Sequence, residues 1–217
     1  MHRYSIPALK VFIFLLALWP FVDITWDAIN NRLGANPLQT LHYRTGDWTL
    51  RFLLISLSIT PLRKWANWTL LQRFRRMMGL YAFFYASLHF SVWLILEQSL
   101  RWDLIIEDTQ KSPYVLVGML AWFILLPLAI TSTKGMMRRL GKRWKKLHQL
   151  IYPCSVLAIL HFVWLVKADF DEPLIYGFIL LALLLSRAIP KRRKQTLSRT
   201  NKHTLQNQFK DDSRQIS

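Results

Sequence analysis

The side chains of this 217-residue sequence best able to hold a redox metal are its six histidines: His2, His42, His89, His148, His161 and His203. The lone cysteine, Cys154, excludes an intrachain disulfide and any Cys-rich zinc or iron–sulfur site. His2 and His203 lie in polar terminal stretches and His42 in a polar connection, where a solvated or capping histidine is the ordinary case. His89 and His161 differ because each interrupts a long apolar run, and an ionisable group inside a membrane span is costly and usually functional. His148 opens the second of those runs.

The elements that must position them are membrane helices. Six stretches have the roughly 17–25 mostly apolar residues needed to cross about 30 Å of hydrocarbon, near 7–26, 46–62, 74–96, 113–131, 149–167 and 172–189. The second is the weakest, being short and carrying Arg51 near one end. The first follows Arg3 and Lys10 like a signal peptide but lacks an Ala-x-Ala-like cleavage site, so it reads as an uncleaved span. Lipid-exposed backbone must satisfy its own hydrogen bonds, and nothing alternates with the period of a barrel strand, so all six are expected to be helices.

Loop charge sets their orientation. Arg63, Lys64, Arg73, Arg75 and Arg76 crowd one connection, and Lys134, Arg138, Arg139, Lys142, Arg143, Lys145 and Lys146 another, with no acid in either. These belong on the cytoplasmic side. The connections containing Glu97, Asp103, Glu107 and Asp108, and Asp169, Asp171 and Glu172, belong outside. Even parity then places both termini in the cytoplasm. The expected architecture is an all-α membrane protein, a six-transmembrane-helix bundle over 1–190, followed by a basic, disordered cytoplasmic tail over 191–217. A net charge of +17 beside a 53% hydrophobic composition fits cationic loops between buried spans, not a nucleic-acid-binding face. Neither glycine-rich nucleotide fingerprint occurs, so the chain carries no nucleotide domain, and no internal repeat is apparent.

With the third span centred near residue 87 and the fifth near 158, a rise of 1.5 Å per residue puts His89 and His161 about 3 Å and 4.5 Å beyond the midplane. Both helices run from inside to outside, so the two imidazoles share a level on the external side. Such a pair can clamp a haem iron from opposite faces, leaving no open position for oxygen, which is an electron-transfer site. The same pattern also fits two histidines that each hydrogen-bond a neighbouring helix. His148 lies 13 residues before His161, about 20 Å along the axis and about 220° around it, so the two share a face only if the helix starts irregularly. Pro153 is a source of such irregularity. The aromatics Tyr81, Phe83, Phe84, Tyr85, Phe90, Trp93, Tyr152, Phe162 and Trp164 are expected to divide between a pocket lining and ordinary packing.

The segments TGDWTL (45–50), ITPLR (59–63), RRMMGLYAFFYASLHF (75–90), GKRWKKLHQLIY (141–152) and HFVW (161–164) together resemble the MsrQ (formerly YedZ) family. These are bacterial inner-membrane haem proteins of the ferric-reductase-like transmembrane superfamily, and the likeness covers about residues 5–190. It implies a multi-pass b-type haem subunit. Such a subunit passes electrons from the quinone pool, or from a cytoplasmic flavin reductase, to the periplasmic molybdopterin enzyme MsrP, which repairs methionine sulfoxide in envelope proteins. It also implies FMN, and it places His89, His148 and His161 at the family's haem-linked histidines. Larger members of the superfamily pair two histidines on each of two helices, whereas 13 and 14 positions before His89 this chain has Arg76 and Arg75. Either a His148 haem takes a different second ligand, or the arginines meet a haem propionate or flavin phosphate. On this reading the chain is an electron-transfer subunit without substrate chemistry of its own. The alternatives are a self-sufficient membrane ferric or metal reductase and a non-redox transporter using the histidines as a proton relay.

Overall fold

A computed structural model describes residues 5–166 and 170–188. His2, His203 and the expected tail lie outside them. The chain divides into two compact units, Met1–Ser186 and Arg187–Ser217, and the site described below belongs wholly to the first. Among the described residues every regular element is helical. They are α1 (Ser5–Ile29), α2 (Pro37–Ala66), a 3-10 turn (Thr69–Arg73), α3 (Arg75–Ser91) running into a π-helical turn (Val92–Glu97), α4 (Trp102–Lys111), α5 (Pro113–Ile130), α6 (Lys134–Leu140), α7 (Lys142–Leu147), a 3-10 turn (His148–Leu150), α8 (Ile151–Leu165) and α9 (Asp171–Ala188).

Among the described residues four stretches, Ile6–Ile29, Arg75–Glu97, Pro113–Ile130 and Lys142–Leu165, are long and apolar enough to cross a membrane. They coincide with four of the six expected spans. The other two fall on α2 and α9, which are helical but have charged residues within the span, Arg44, Asp47, Arg51, Arg63 and Lys64 on α2 and, within only 18 residues, Asp171, Glu172 and Arg187 on α9. On α1, Val11, Phe12, Leu15, Leu16 and Trp19 are each more than half exposed. Water does not tolerate so continuous an apolar stripe, whereas hydrocarbon does.

The largest departure from expectation is α2, which begins nine residues before the predicted span. Asn36 caps it by accepting from the Gln39 backbone N–H at 3.2 Å, and Pro37, without an N–H to waste, occupies the first helical position. His42 therefore sits on a helix, not in a loop. The far end of α2 closes on Asn67 in the left-handed conformation. A second departure is α4, an amphipathic helix where only an acidic connection was expected. Asp108 ties it to the π-turn by accepting from Trp93 Nε1 at 2.8 Å and Gln98 Nε2 at 3.0 Å.

Packing pairs α2 with α3 and α5 with α8 most extensively. The core between α1, α2 and α3 is aromatic: Phe52 stacks on Tyr85 with centroids 5.3 Å apart and on Tyr81 at 5.4 Å. The two phenol hydroxyls reach α1. Tyr81 donates to the Phe14 carbonyl at 2.8 Å, while Tyr85 donates to Ala17 O at 2.9 Å and accepts from Phe21 N at 3.1 Å. That last pair of backbone groups adjoins Pro20, which has no N–H to give the Leu16 carbonyl, so the hydroxyl enters α1 beside the missing ladder bond. Between α3 and α5, Trp122 Nε1 donates to Ser87 Oγ at 3.1 Å and the indole stacks on Phe90 at 4.7 Å.

Candidate functional site

A cavity of about 730 Å³ opens between the α2–α3 and α5–α8 pairs. Leu50, Leu53, Val115, Ala121, Trp122 and Leu125 form its apolar part, and Arg44, Asp47, Glu97, Asp108 and Glu172 contribute a charged margin. Its volume is of the size that ligand and cofactor sites take. Three histidines line it: His42, His89 and His161.

His89 on α3 and His161 on α8 stand with ring centroids 6.0 Å apart and planes at 83°. Each spends one ring nitrogen on the backbone of the neighbouring helix. His89 Nδ1 lies 3.1 Å from the His42 carbonyl, and His161 Nδ1 lies 2.6 Å from the Tyr114 carbonyl. A carbonyl can only accept, so both imidazoles carry their proton on Nδ1 and keep the Nε2 lone pair free. This is how a metal-binding histidine is oriented and made more basic. The spacing fits an iron as well. Two metal–nitrogen bonds of about 2 Å, with about 1 Å from each nitrogen to its ring centre, span about 6 Å. The residues present therefore fit a haem iron held between two imidazoles.

Glycines let the helices come this close. A Cβ on Gly46 of α2 would stand 3.2 Å from His89 Nδ1 and Cε1, and one on Gly118 of α5 would stand 2.8 Å from the same atoms of His161. His42 packs edge-on against His89, centroids 5.4 Å apart. Its Nε2 lies 3.0 Å from Glu97 Oε2, an ion-pair distance, but off the line of a hydrogen bond. Hydropathy assigned His42 to a loop, and the signal that would have corrected this is the Asn36–Pro37 helix start. Of the expected aromatics, Phe90, Trp93 and Phe162 reach the cavity, Tyr81 and Tyr85 pack in the core, and Trp164 faces outward, 51% exposed.

The remaining predicted residues do not line the cavity. His148 lies in the 3-10 turn ahead of α8, the irregular start that a shared face would need, yet it takes other partners. The Thr131 hydroxyl donates to the Pro127 carbonyl at 2.6 Å, so it accepts from His148 Nε2 at 3.1 Å. Trp144 covers the ring, stacked at 4.0 Å, and gives its own Nε1–H to the Thr131 carbonyl. Arg75 is half-buried and near enough for its charge to act on His148, while Arg76 is exposed.

Paired imidazoles lining one cavity, inside a bundle of apolar helices, define a helical membrane protein with a candidate cofactor site. Residues 45–159 match the family described as ferric reductase like transmembrane component. Relatives named protein-methionine-sulfoxide reductase heme-binding subunit MsrQ extend the match. That of Xanthomonas campestris is 52% identical over 87% of this chain and 88% of its own length. That of Xanthomonas oryzae is 51% identical over 80% and 79%, and that of Herminiimonas arsenicoxydans 46% over 82% and 84%. The chain belongs to the MsrQ family.

Proposed function

We propose that this chain is a b-type haem electron-transfer subunit of a protein-methionine-sulfoxide reductase system. The observation that carries the reading is the paired Nδ1–H-to-carbonyl arrangement of His89 and His161 facing one cavity. Bound there, haem would supply a one-electron iron couple, with His89 and His161 as the residues that would hold it. The chain's own residues hold and orient it. His42 and Tyr114 fix the imidazole tautomers through their carbonyls, Gly46 and Gly118 admit the rings, and the apolar lining keeps water from the metal. With an imidazole on either side of it, a bound haem would be left no position for a substrate, so the chain would work by passing electrons to a partner.

Counted with α2 and α9, where Arg44, Asp47 and Arg51 are ion-paired and Glu172 lines the cavity, the bundle has six spans with both termini in the cytoplasm, in keeping with loop charge. The cavity then opens toward the external side. The family relatives support a methionine-sulfoxide reductase partner there, which we take to be periplasmic MsrP. By the family resemblance, the membrane would be the bacterial inner membrane, with quinol or a cytoplasmic flavin reductase as donor. A second haem contacted by His148, propionate or flavin-phosphate contacts by Arg75 and Arg76, and FMN itself rest on the family resemblance alone.

Purified protein from haem-replete cells is expected to show reducible low-spin b-type absorption bands, lost in His89→Ala and in His161→Ala. A colourless wild-type preparation overturns the proposal. The family match to a ferric-reductase-like component favours a second reading, direct delivery of electrons to an external metal. Quinol-dependent ferric reduction that persists without the periplasmic partner would select it.

A further inference from the structure

We infer that the two histidines are set by one device used twice, and that Gly46 and Gly118 are its positioning residues, fixing the imidazole planes near a right angle. The inference rests on the haem reading of this site. In the first copy the His42 carbonyl accepts from His89 Nδ1 47 positions on, and Gly46, one turn after His42, abuts that ring. In the second the Tyr114 carbonyl accepts from His161 Nδ1, again 47 positions on, and Gly118, one turn after Tyr114, abuts that ring. Acceptor, glycine and histidine all recur at an offset of 72 positions, and each histidine is followed by a phenylalanine lining the cavity, Phe90 and Phe162. The fold thus contains an internal repeat that side-chain identity conceals.

Each copy constrains its imidazole twice. The Nδ1–H bond fixes which edge of the ring meets the backbone, and the glycine leaves room for that edge at one tilt only. Together they hold the planes at 83°. For an iron between them this angle has an electronic consequence. Each imidazole interacts by π overlap with the metal orbital perpendicular to its plane. Crossed planes therefore perturb two orbitals equally and leave them nearly degenerate, whereas parallel planes split them. Near-degeneracy gives a ferric low-spin centre one highly anisotropic resonance with a very large g value. Splitting gives a three-line rhombic spectrum.

The test is frozen-solution EPR of the haem-loaded, oxidised protein. Wild type is expected to show the highly anisotropic signal. Because 83° is already near the maximum, turning either ring substantially lowers the angle, so Gly118→Ala, whose Cβ would lie 2.8 Å from the His161 ring, should shift the signal toward the rhombic form. Gly46→Ala, at 3.2 Å, should shift it less, and Gly135→Ala, with nothing within 4 Å, not at all. If Gly118→Ala fails to retain haem, Gly46→Ala decides: a shifted signal supports the device and an unshifted one overturns it. A rhombic wild-type signal, or a wild-type signal in both glycine variants, also overturns it while leaving the haem reading intact. Wild-type protein without haem overturns both.

Discussion

Tyr85 offers the sharpest test of how this bundle holds its histidine helix. It lies one turn before His89 on α3, fully buried, and its hydroxyl bridges Ala17 O and Phe21 N on α1, so it sets the rotation of α3 about its own axis. Tyr85→Phe deletes the bridge and keeps the ring stacked on Phe52. In water-soluble proteins two such bonds are worth about 1–3 kcal/mol together, and stranded partners would add to that. Here the partners are not stranded, because Ala17 O and Phe21 N stand four residues apart and can bond to each other within α1. Side-chain hydrogen bonds between membrane helices average about 0.6 kcal/mol, because the unfolded chain in lipid also finds partners. Two of them, with the stranding term absent, give a cost of about 1 kcal/mol, a fivefold change in the unfolding equilibrium constant. The assay is unfolding of the purified protein in mixed micelles by added SDS, followed through haem absorbance. A loss above about 3 kcal/mol would refute the reasoning by showing that burial in lipid multiplies the bond, and no loss at all would show that the bridge does not form. Tyr81→Phe, which removes only the bond to Phe14 O, should cost about half as much.

Other outcomes follow from the same geometry. His161→Gly should lose the low-spin spectrum and recover part of it with added imidazole, which can occupy the vacated space; absorption titration reads this directly. Asp108→Ala strands the buried donors of Trp93 and Gln98, at about 1–3 kcal/mol each, and should loosen the π-turn that follows His89, measured as faster haem loss on heating; Asp108→Asn keeps an acceptor and should lose less. Arg44→Leu removes the cation between Asp23 and Asp27, bonded at 2.5 Å and 2.7 Å, and leaves two like charges one turn apart on α1; the expected cost is about 1–2 kcal/mol, with partial recovery in the Asp23→Asn background.

Sequence revealed the histidine pair because two facts about it are one-dimensional: each residue interrupts an apolar run, and loop charge orients both runs alike. The supporting parts could not be seen that way. The acceptors for His89 and His161 are backbone carbonyls, which leave no trace in residue type, and the residue bearing one is a histidine while its counterpart is a tyrosine. Gly46 and Gly118 are visible as glycines, but what makes them necessary is a ring from another helix. The polar stretch from Gln39 to Thr45 read as a loop because hydropathy assumes that lipid is the surrounding medium. Arg44 instead meets two acids of α1, Asp47 meets Arg51 and Tyr176, and His42 faces the cavity, so the first half of α2 pairs its charges within the protein. On α4 only Asp108 is spent this way, on Trp93 and Gln98.

The repeat also bears on how many bis-histidine haems this chain can hold. Continuing the offset of 72 positions to the other end of the two histidine helices pairs His148 with Arg76, not with a second histidine. A second site built on the same plan would need free imidazole Nε2 atoms at both positions. Here one is an exposed guanidinium, and the other imidazole donates its Nε2–H to Thr131 under the Trp144 ring. The two halves thus share a plan where His89 and His161 meet and depart from it at the cationic end. The expected stoichiometry is one bis-histidine haem per chain, measured as pyridine haemochrome against protein by amino-acid analysis. His148→Ala should leave both the ratio and the low-spin spectrum unchanged. A ratio of two, falling to one in His148→Ala, would refute this and would require His148 to give up Thr131 and find a non-histidine partner across the iron.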